Sequence, residues 1–423
     1  MKSREEAVER ARGTSAADRR WMRLALRLAR LGMGATRSNP RVGAVAVLDG
    51  RIVARGAHLS FGGPHAEAAM LASVPGEGLR GATVYLNLEP CAHHGKTPPC
   101  APALARAGVA RVVAAIADPH PLVQGRGFAV LREAGIEVAT GVLSGAARRL
   151  NAPFLWHLCS GRALLTLKIA SSLDGRLAAP DGSSRWITGE ASRERVHRWR
   201  ARADAIVVGI GTYLADRPRL TARPRTDPDA RLRGLLPGDG PAWPFRPARV
   251  VVDSRAILGE AGREDFPPDV TGPGGGPWIV ACGPRAAGER RDRLESRGVR
   301  CWVLPEQGNG AGVDLAALAR RLADEGMLDV MVEGGAALAS SFLAAGLIDR
   351  LRLFLAPCML GGPRTWTGDL GVAGLGRCQR WAEGEAGASG EDLLVTCWSE
   401  SLARMFEGSP TVGAGAVEPC SRD

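Results

Sequence analysis

The sequence predicts an α/β protein of two domains, and three observations carry that expectation. The chain has 423 residues, more than a single ordinary core of about 100 to 200 residues holds. Strand-like apolar runs alternate with helical patterns in two successive series. Apolar residues make up 45% of the chain, enough for each series to bury a core of its own.

The first series starts at "WMRLALRLARLG", where arginines recur through an apolar face as in an amphipathic helix. "VGAVAVL" (42–48) and "RIVARGA" (51–57) flank Asp49-Gly50, the dipeptide of a tight hairpin. A helix from about His65, a strand near 82–87, a helix opening at Pro98-Pro99 and a strand at 110–117 follow. These elements predict a three-layer domain over residues 1–150.

The second series contains eight strand-like runs, at 164–170, 204–211, 248–254, 277–283, 300–306, 328–335, 350–357 and 392–398. It predicts a second sheet domain over residues 160–400. Stretches 224–247 and 258–276 are rich in Pro, Gly, Asp and Arg and read as surface loops. Residues 405–423, rich in Gly and Ser, read as a disordered tail.

Charge and cysteine usage exclude several classes. No run approaches the roughly 18 apolar residues of a membrane helix, and the charged N-terminus does not read as a secretion signal. Nine scattered cysteines do not form a disulfide framework, so the expected compartment is the cytoplasm. Residues 1–150 hold 21 Lys+Arg against 11 Asp+Glu, a net of +10 out of +11 for the chain. That excess suits nucleic acid, a phosphorylated small molecule or a solvated arginine surface. Lysine occurs only as Lys2, Lys96 and Lys168.

The chemistry-bearing stretch is "EPCAHHGKTPPC" (89–100). Catalytic zinc takes three protein ligands and leaves one position open, and His65, Cys91 and Cys100 can supply that set. Cys100 opens a helix, whose dipole favours a thiolate. Glu67, two residues after His65, is placed to shuttle a proton. The H-x-E plus P-C arrangement is that of zinc nucleobase deaminases, but those that act on nucleic acid space their cysteines C-x-x-C. Here eight residues intervene. Taken singly, the cysteine pair could be incidental, His94 a solvent-facing neighbour and Asn39 a turn residue.

With "SNPRVGAV" upstream and "DPHPLVQGRG" downstream, the chain closely resembles the bifunctional riboflavin-biosynthesis deaminase/reductase family over residues 18–400. The resemblance implies a cytidine-deaminase-like α/β/α domain that removes the 2-amino group of 2,5-diamino-6-ribosylamino-4(3H)-pyrimidinone 5′-phosphate. By position it makes His65, Cys91 and Cys100 the ligands of one zinc and Glu67 the catalytic proton shuttle. Asn39, His58, His93, Lys96 and Asp118 match substrate contacts. His120 departs from the family's asparagine.

The second series says less by itself. "VEGGAAL" (332–338) and "VGIGTYLAD" (208–216) put glycines between strand and helix, where backbone N–H groups can meet a phosphate. "LKIASSLDGRLA", "SSRWITGE" and "VMVEGGA" resemble the reductase half of the same family, which implies a dihydrofolate-reductase-like domain using NADPH. Ala170, Trp186, Thr212, Asp216, Ser254 and Gly335 match cofactor contacts. Lys168, Ser184, Arg200, Leu220, Arg223 and Glu333 match contacts to the phosphoribosyl substrate. Trp186 as plain core and Asp216 as a turn residue stay open. Arg217 and Tyr213 depart from the family pattern in the cofactor loop. Asp253 ends a strand as an NAD-reading acid would, whereas Ser254 and Arg255 after it suit a 2′-phosphate.

The expected partner is a small phosphorylated pyrimidine, with no nucleic acid and no membrane; a homo-oligomer is left open. The alternative is a tRNA-type nucleic-acid deaminase with an accessory domain, suggested by the basic first third. A closed zinc scaffold is disfavoured by Glu67 beside the ligand set.

Overall fold

The computed structural model describes residues 15–93, 98–120, 123–236, 245–263, 266, 275–308, 310 and 312–408. They fall into two compact units. One takes the described residues of Met1–Ser160, Asp227–Ala242 and Met405–Asp423; the other takes those of Gly161–Thr226 and Trp243–Arg404.

In the first unit, β1 (Gly43–Leu48) pairs antiparallel with β2 (Arg51–Ala57) and with β3 (Thr83–Leu86). β4 (Arg111–Ala114) and β5 (Glu137–Thr140) extend the sheet in parallel, giving the order β2-β1-β3-β4-β5. The expected hairpin is present: Asp49 (φ 50°) and Gly50 (φ 73°) both take left-handed conformations, as a two-residue turn between twisted strands requires. The helix Ala16–Ala29 starts in a reciprocal cap between Ser15 and Asp18 and buries Trp21, Met22, Leu26 and Leu28.

Two glycines show how the layers form. A Cβ on Gly43 would lie 2.1 Å from the carbonyl oxygen of Ala25, and one on Gly56 2.1 Å from that of Ala66. Gly56 pairs with Ala44, the neighbour of Gly43, so the two glycines look to opposite faces of the sheet. Helix Ala16–Ala29 therefore covers one face and helix Ala66–Ala72 the other, at a closeness that only a bare Cα allows. This is the expected three-layer arrangement.

The second unit is built on nine strands: β6 (Leu164–Ser172), β7 (Ala205–Gly209), β8 (Ala248–Val252), β9 (Trp278–Cys282), β10 (Arg300–Val303), β11 (Asp329–Val332), β12 (Arg350–Ala356), β13 (Ala382–Ser389) and β14 (Asp392–Trp398). Their order is β10-β9-β8-β7-β11-β6-β12-β14-β13. The run from β10 to β12 is parallel; β14 and β13 are antiparallel additions. Apolar cores lie on both faces of this sheet, as buried parallel strands demand. β7 and β11, the strands that carry the two glycine-rich exits, are neighbours.

Several expectations change. Stretch 224–247 is not wholly a surface loop: it contains a helix, Ala230–Arg233, whose Leu232 is buried in the core of the first unit. Phe266, within stretch 258–276, is buried against Tyr213 and Trp278 with ring centroids 5.0 and 5.2 Å away. Tyr213 thus points into the core and not toward a cofactor. The expected tail begins inside a helix, Glu400–Glu407; residues 409–423 lie outside the described residues. Among the described residues no helix is long and apolar enough to cross a membrane.

Candidate active sites

His65 is the N-cap of helix Ala66–Ala72, and Cys100 is the first residue of helix Cys100–Arg106, entered through Pro99. Cys91 lies in the loop after β3. Their ligand atoms sit within 4.8 Å of one another. His65 Nδ1 is 3.6 Å from Cys91 Sγ and 3.5 Å from Cys100 Sγ. A tetrahedral ion about 2.3 Å from sulfur and about 2.0 Å from nitrogen places N···S edges at roughly 3.6 Å. Both histidine–cysteine edges therefore match zinc, and the third pair lies within the same 4.8 Å.

Helix geometry serves these thiols in an unexpected way. The N–H that opens the helix, that of Cys100, donates to Cys91 Sγ at 3.4 Å. Cys91 is pulled down to about 4, chiefly by hydrogen bonds from Cys100 and His65, while the Cys91 contact and burial push the Cys100 thiol up. The Cys100 N–H at the start of the helix thus adds to the stabilisation of the Cys91 thiolate, and both thiols give up their protons on binding a metal. Glu67 is buried, and desolvation followed by the charge on Cys91 raises it to about 7, the range in which a carboxyl both takes and gives a proton.

Asn39 and His58 come together beside this set. Asn39 Nδ2 is 3.1 Å from His58 Nε2, His58 Nδ1 is 2.9 Å from the Pro64 carbonyl, and the His58 and His65 rings are 5.7 Å apart. A proton on Nδ1 satisfies both contacts, and burial lowers the His58 pKa, so the ring is neutral. His93 is exposed. Lys96 lies outside the described residues. Asp118 is buried and accepts the His120 N–H at 2.9 Å.

Sequence reasoning missed Glu89. Its buried carboxylate accepts the N–H groups of Asp118 (3.1 Å), Gly125 (3.1 Å), Gly127 (3.0 Å) and Phe128 (3.3 Å). It ties the loop bearing Asp118 to the segment bearing Cys91. Its place directly before Pro90-Cys91 was the available signal, because a carboxylate that stays buried needs such donors.

In the second unit a cavity of ≈ 750 Å³ gathers most of the remaining candidates: Lys168, Ser184, Arg200, Leu220, Arg223 and Glu333 with Ala170, Trp186, Thr212 and Asp216. Arg200 and Glu333 are paired through two hydrogen bonds of 2.6 and 2.8 Å. Burial lowers the Lys168 pKa, with Glu333 opposing and Arg200 adding to the effect. Trp186 is 71% exposed, with the Arg193 guanidinium 4.7 Å from its ring centre, so it is not plain core. Gly335 N–H donates to Thr212 Oγ1 at 2.8 Å, which joins the two glycine-rich exits. Ser254 does not line this cavity; its hydroxyl accepts the Val313 N–H at 3.2 Å. Asp253 is buried and accepts the Leu258 N–H at 3.0 Å, so it closes its own turn and is withdrawn from any ribose.

Comparison with known proteins finds a family model over each of the two halves. Residues 15–116 match the family model for the cytidine and deoxycytidylate deaminase zinc-binding region, and residues 163–395 match that for the RibD C-terminal domain. The riboflavin biosynthesis protein RibD of Aquifex aeolicus is 37% identical over 378 residues, 89% of this chain and 97% of the relative. That of Escherichia coli is 40% identical over 344 residues, 81% and 89% of the two chains. A solved Thermotoga maritima diaminohydroxyphosphoribosylaminopyrimidine deaminase/5-amino-6-(5-phosphoribosylamino)uracil reductase superimposes with a TM-score of 0.74 at 32% identity, covering 90% of this chain and 99% of the other. Acinetobacter baumannii RibD gives 0.73 at 34% identity, covering 90% and 98%.

Proposed function

The chain belongs to the RibD family, the bifunctional deaminases and reductases of riboflavin biosynthesis, and we propose how its residues divide that work. Deamination of the diaminopyrimidinone phosphate falls to a domain of residues 1–150, and reduction of the ribosyl group to ribityl falls to residues 160–400. The observation that carries this reading is the His65, Cys91 and Cys100 set at zinc spacing with Glu67 buried beside it.

His65, Cys91 and Cys100 hold the metal, which when bound supplies Lewis-acid activation of water. Glu67 takes the proton released there and delivers it to the departing amine. Neutral His58 fixes the Asn39 amide by accepting from Nδ2, which leaves Oδ1 to accept a pyrimidine N–H. Asp118, held by the Glu89 clamp, and the exposed His93 face the phosphoribosyl end; Lys96 is assigned with them.

In the reductase half, NADPH when bound supplies the hydride. Trp186, Thr212, Asp216 and Ala170 orient the cofactor against the same cavity in which Lys168, Ser184, Leu220, Arg223 and the Arg200–Glu333 pair hold the sugar. Hydride transfer needs donor and acceptor in one cleft, and both sets of residues line it. Ser254 and the turn at Gly335 hold the rest of the cofactor. We place the enzyme in the cytoplasm, acting on a small phosphorylated pyrimidine and not on nucleic acid. Incubation with the diaminopyrimidinone phosphate, with and without NADPH, should give a deaminated product in both cases and a product heavier by two hydrogens only with NADPH. Absence of the first mass change refutes the deaminase assignment.

A further inference from the structure

We infer that His197 is a further substrate-contact residue of the reductase, donating a hydrogen bond from Nε2–H to an oxygen of the substrate's sugar. The inference rests on the reductase reading above and adds a residue that no motif singled out.

His197 lies on helix Glu190–Arg200, whose Glu190, Arg193, Glu194, His197 and Arg200 all line the ≈ 750 Å³ cavity. Those positions recur every three to four residues, so one face of the helix forms a wall of the cleft. On that wall His197 stands one turn before Arg200, the partner of Glu333. Its Nδ1 lies 3.3 Å from the backbone N–H of Arg223 and accepts from it. An imidazole that accepts at Nδ1 while neutral must carry its proton on Nε2. It is neutral here: burial first, then the charges of Arg200 and Arg223, lower its pKa to about 4, with Glu333 and the nearby Thr221 backbone carbonyl only partly opposing. The ring therefore presents a fixed, uncharged donor to the cleft.

The surroundings select what that donor meets. Glu333 sits 10% exposed beside it and stays ionised, which disfavours a phosphate dianion at this depth. The exposed arginines of the same cavity, Arg219 and Arg223, form the better seat for phosphate. A sugar oxygen, uncharged and able to accept, suits His197. The residue gives up no proton in this role; it fixes the sugar relative to the cofactor.

Two isosteres test the idea. His197→Asn keeps an acceptor near Nδ1 for the Arg223 N–H but has no donor at Nε2; His197→Gln keeps a donor near Nε2 and loses the Nδ1 contact. Steady-state reduction of the deaminated substrate with NADPH is the assay, with NADPH binding by fluorescence as the check that the second unit is folded. The expected result is a KM for the pyrimidine substrate raised tenfold or more in His197→Asn, largely restored in His197→Gln, with the KM for NADPH within twofold of the parent in both. An unchanged substrate KM in His197→Asn, or a Gln variant impaired more than the Asn variant, overturns the proposal and leaves His197 as a prop for Arg223. Failure of the unaltered enzyme to reduce the substrate would instead reject the underlying reductase reading.

Discussion

Arg200 and Glu333 meet as a two-point pair, Nε to Oε1 at 2.6 Å and Nη2 to Oε2 at 2.8 Å, with side chains 14% and 10% exposed. Burial alone would raise the carboxyl, but the charge and hydrogen bonds of Arg200 hold Glu333 down to about 2, below its ordinary 4.5. As pH falls, the unfolded chain therefore takes up this proton first. The stability the pair contributes is complete above about pH 4.5 and is lost as pH falls toward about 2. Glu333→Gln should flatten the loss of denaturant stability between about pH 5 and 3; a slope equal to the parent's contradicts the pairing.

The metal set predicts about one zinc per chain. Cys100→Ser should lose metal by elemental analysis. Glu67→Gln should retain it while deamination falls by about 10²- to 10⁴-fold, the usual range for a missing proton shuttle. Full deamination by the Glu67→Gln enzyme is the result that would remove Glu67 from this role.

The two chemistries should be separable by point substitution. Glu67→Ala should still reduce chemically supplied deaminated substrate with NADPH, and Lys168→Ala should still deaminate but reduce poorly. Loss of both activities in well-folded Glu67→Ala would mean the sites are not independent.

Glu89→Gln replaces an oxygen that accepts two backbone N–H groups with an amide that itself donates. Each buried N–H left without an acceptor costs on the order of 1–3 kcal/mol, so denaturant unfolding of the first unit should shift by at least that much. The substrate KM for deamination should rise severalfold through the displaced Asp118, with zinc content kept. Parental stability and KM together would show that the clamp is dispensable.

For the cofactor, Asp253 is already occupied by the Leu258 N–H, while Arg255 is exposed next to Ser254. NADPH should be preferred over NADH at least tenfold, about 1.4 kcal/mol, and Arg255→Ala should weaken NADPH much more than NADH. Equal use of the two by the unaltered enzyme would show that this strand end does not read the 2′ position.

Central strands were legible because they are continuous apolar runs; β7, β8 and β9 announce themselves. The missed ones, "EVAT" of β5 and "AEGEAGAS" of β13, are edge strands. An edge strand faces solvent on one side and needs little apolar patterning. The zinc set and Glu67 were legible from spacing, since the ligand types are few. Glu89 and His197 were not, because their roles depend on backbone donors 29 to 39 and 26 residues away in sequence. Phe266 and Leu232 were hidden for another reason: the Pro, Gly, Asp and Arg around them read as loop, so their burial emerges only in three dimensions.

The helix Ala230–Arg233 gives the chain a topology that a bead-on-a-string diagram misses. It is encoded within the reductase half, yet Leu232 belongs to the core of the deaminase unit, and Asp229 pairs with Arg30 there at 3.6 Å. No single cut in the polypeptide divides the molecule into its two units. A fragment ending at Ser160 would leave with a gap where Leu232 belongs, and the complementary fragment would carry Leu232 without its socket. Splitting this protein into two monofunctional enzymes therefore takes more than a stop codon: the excursion must be excised from one half and its footprint made polar on the other.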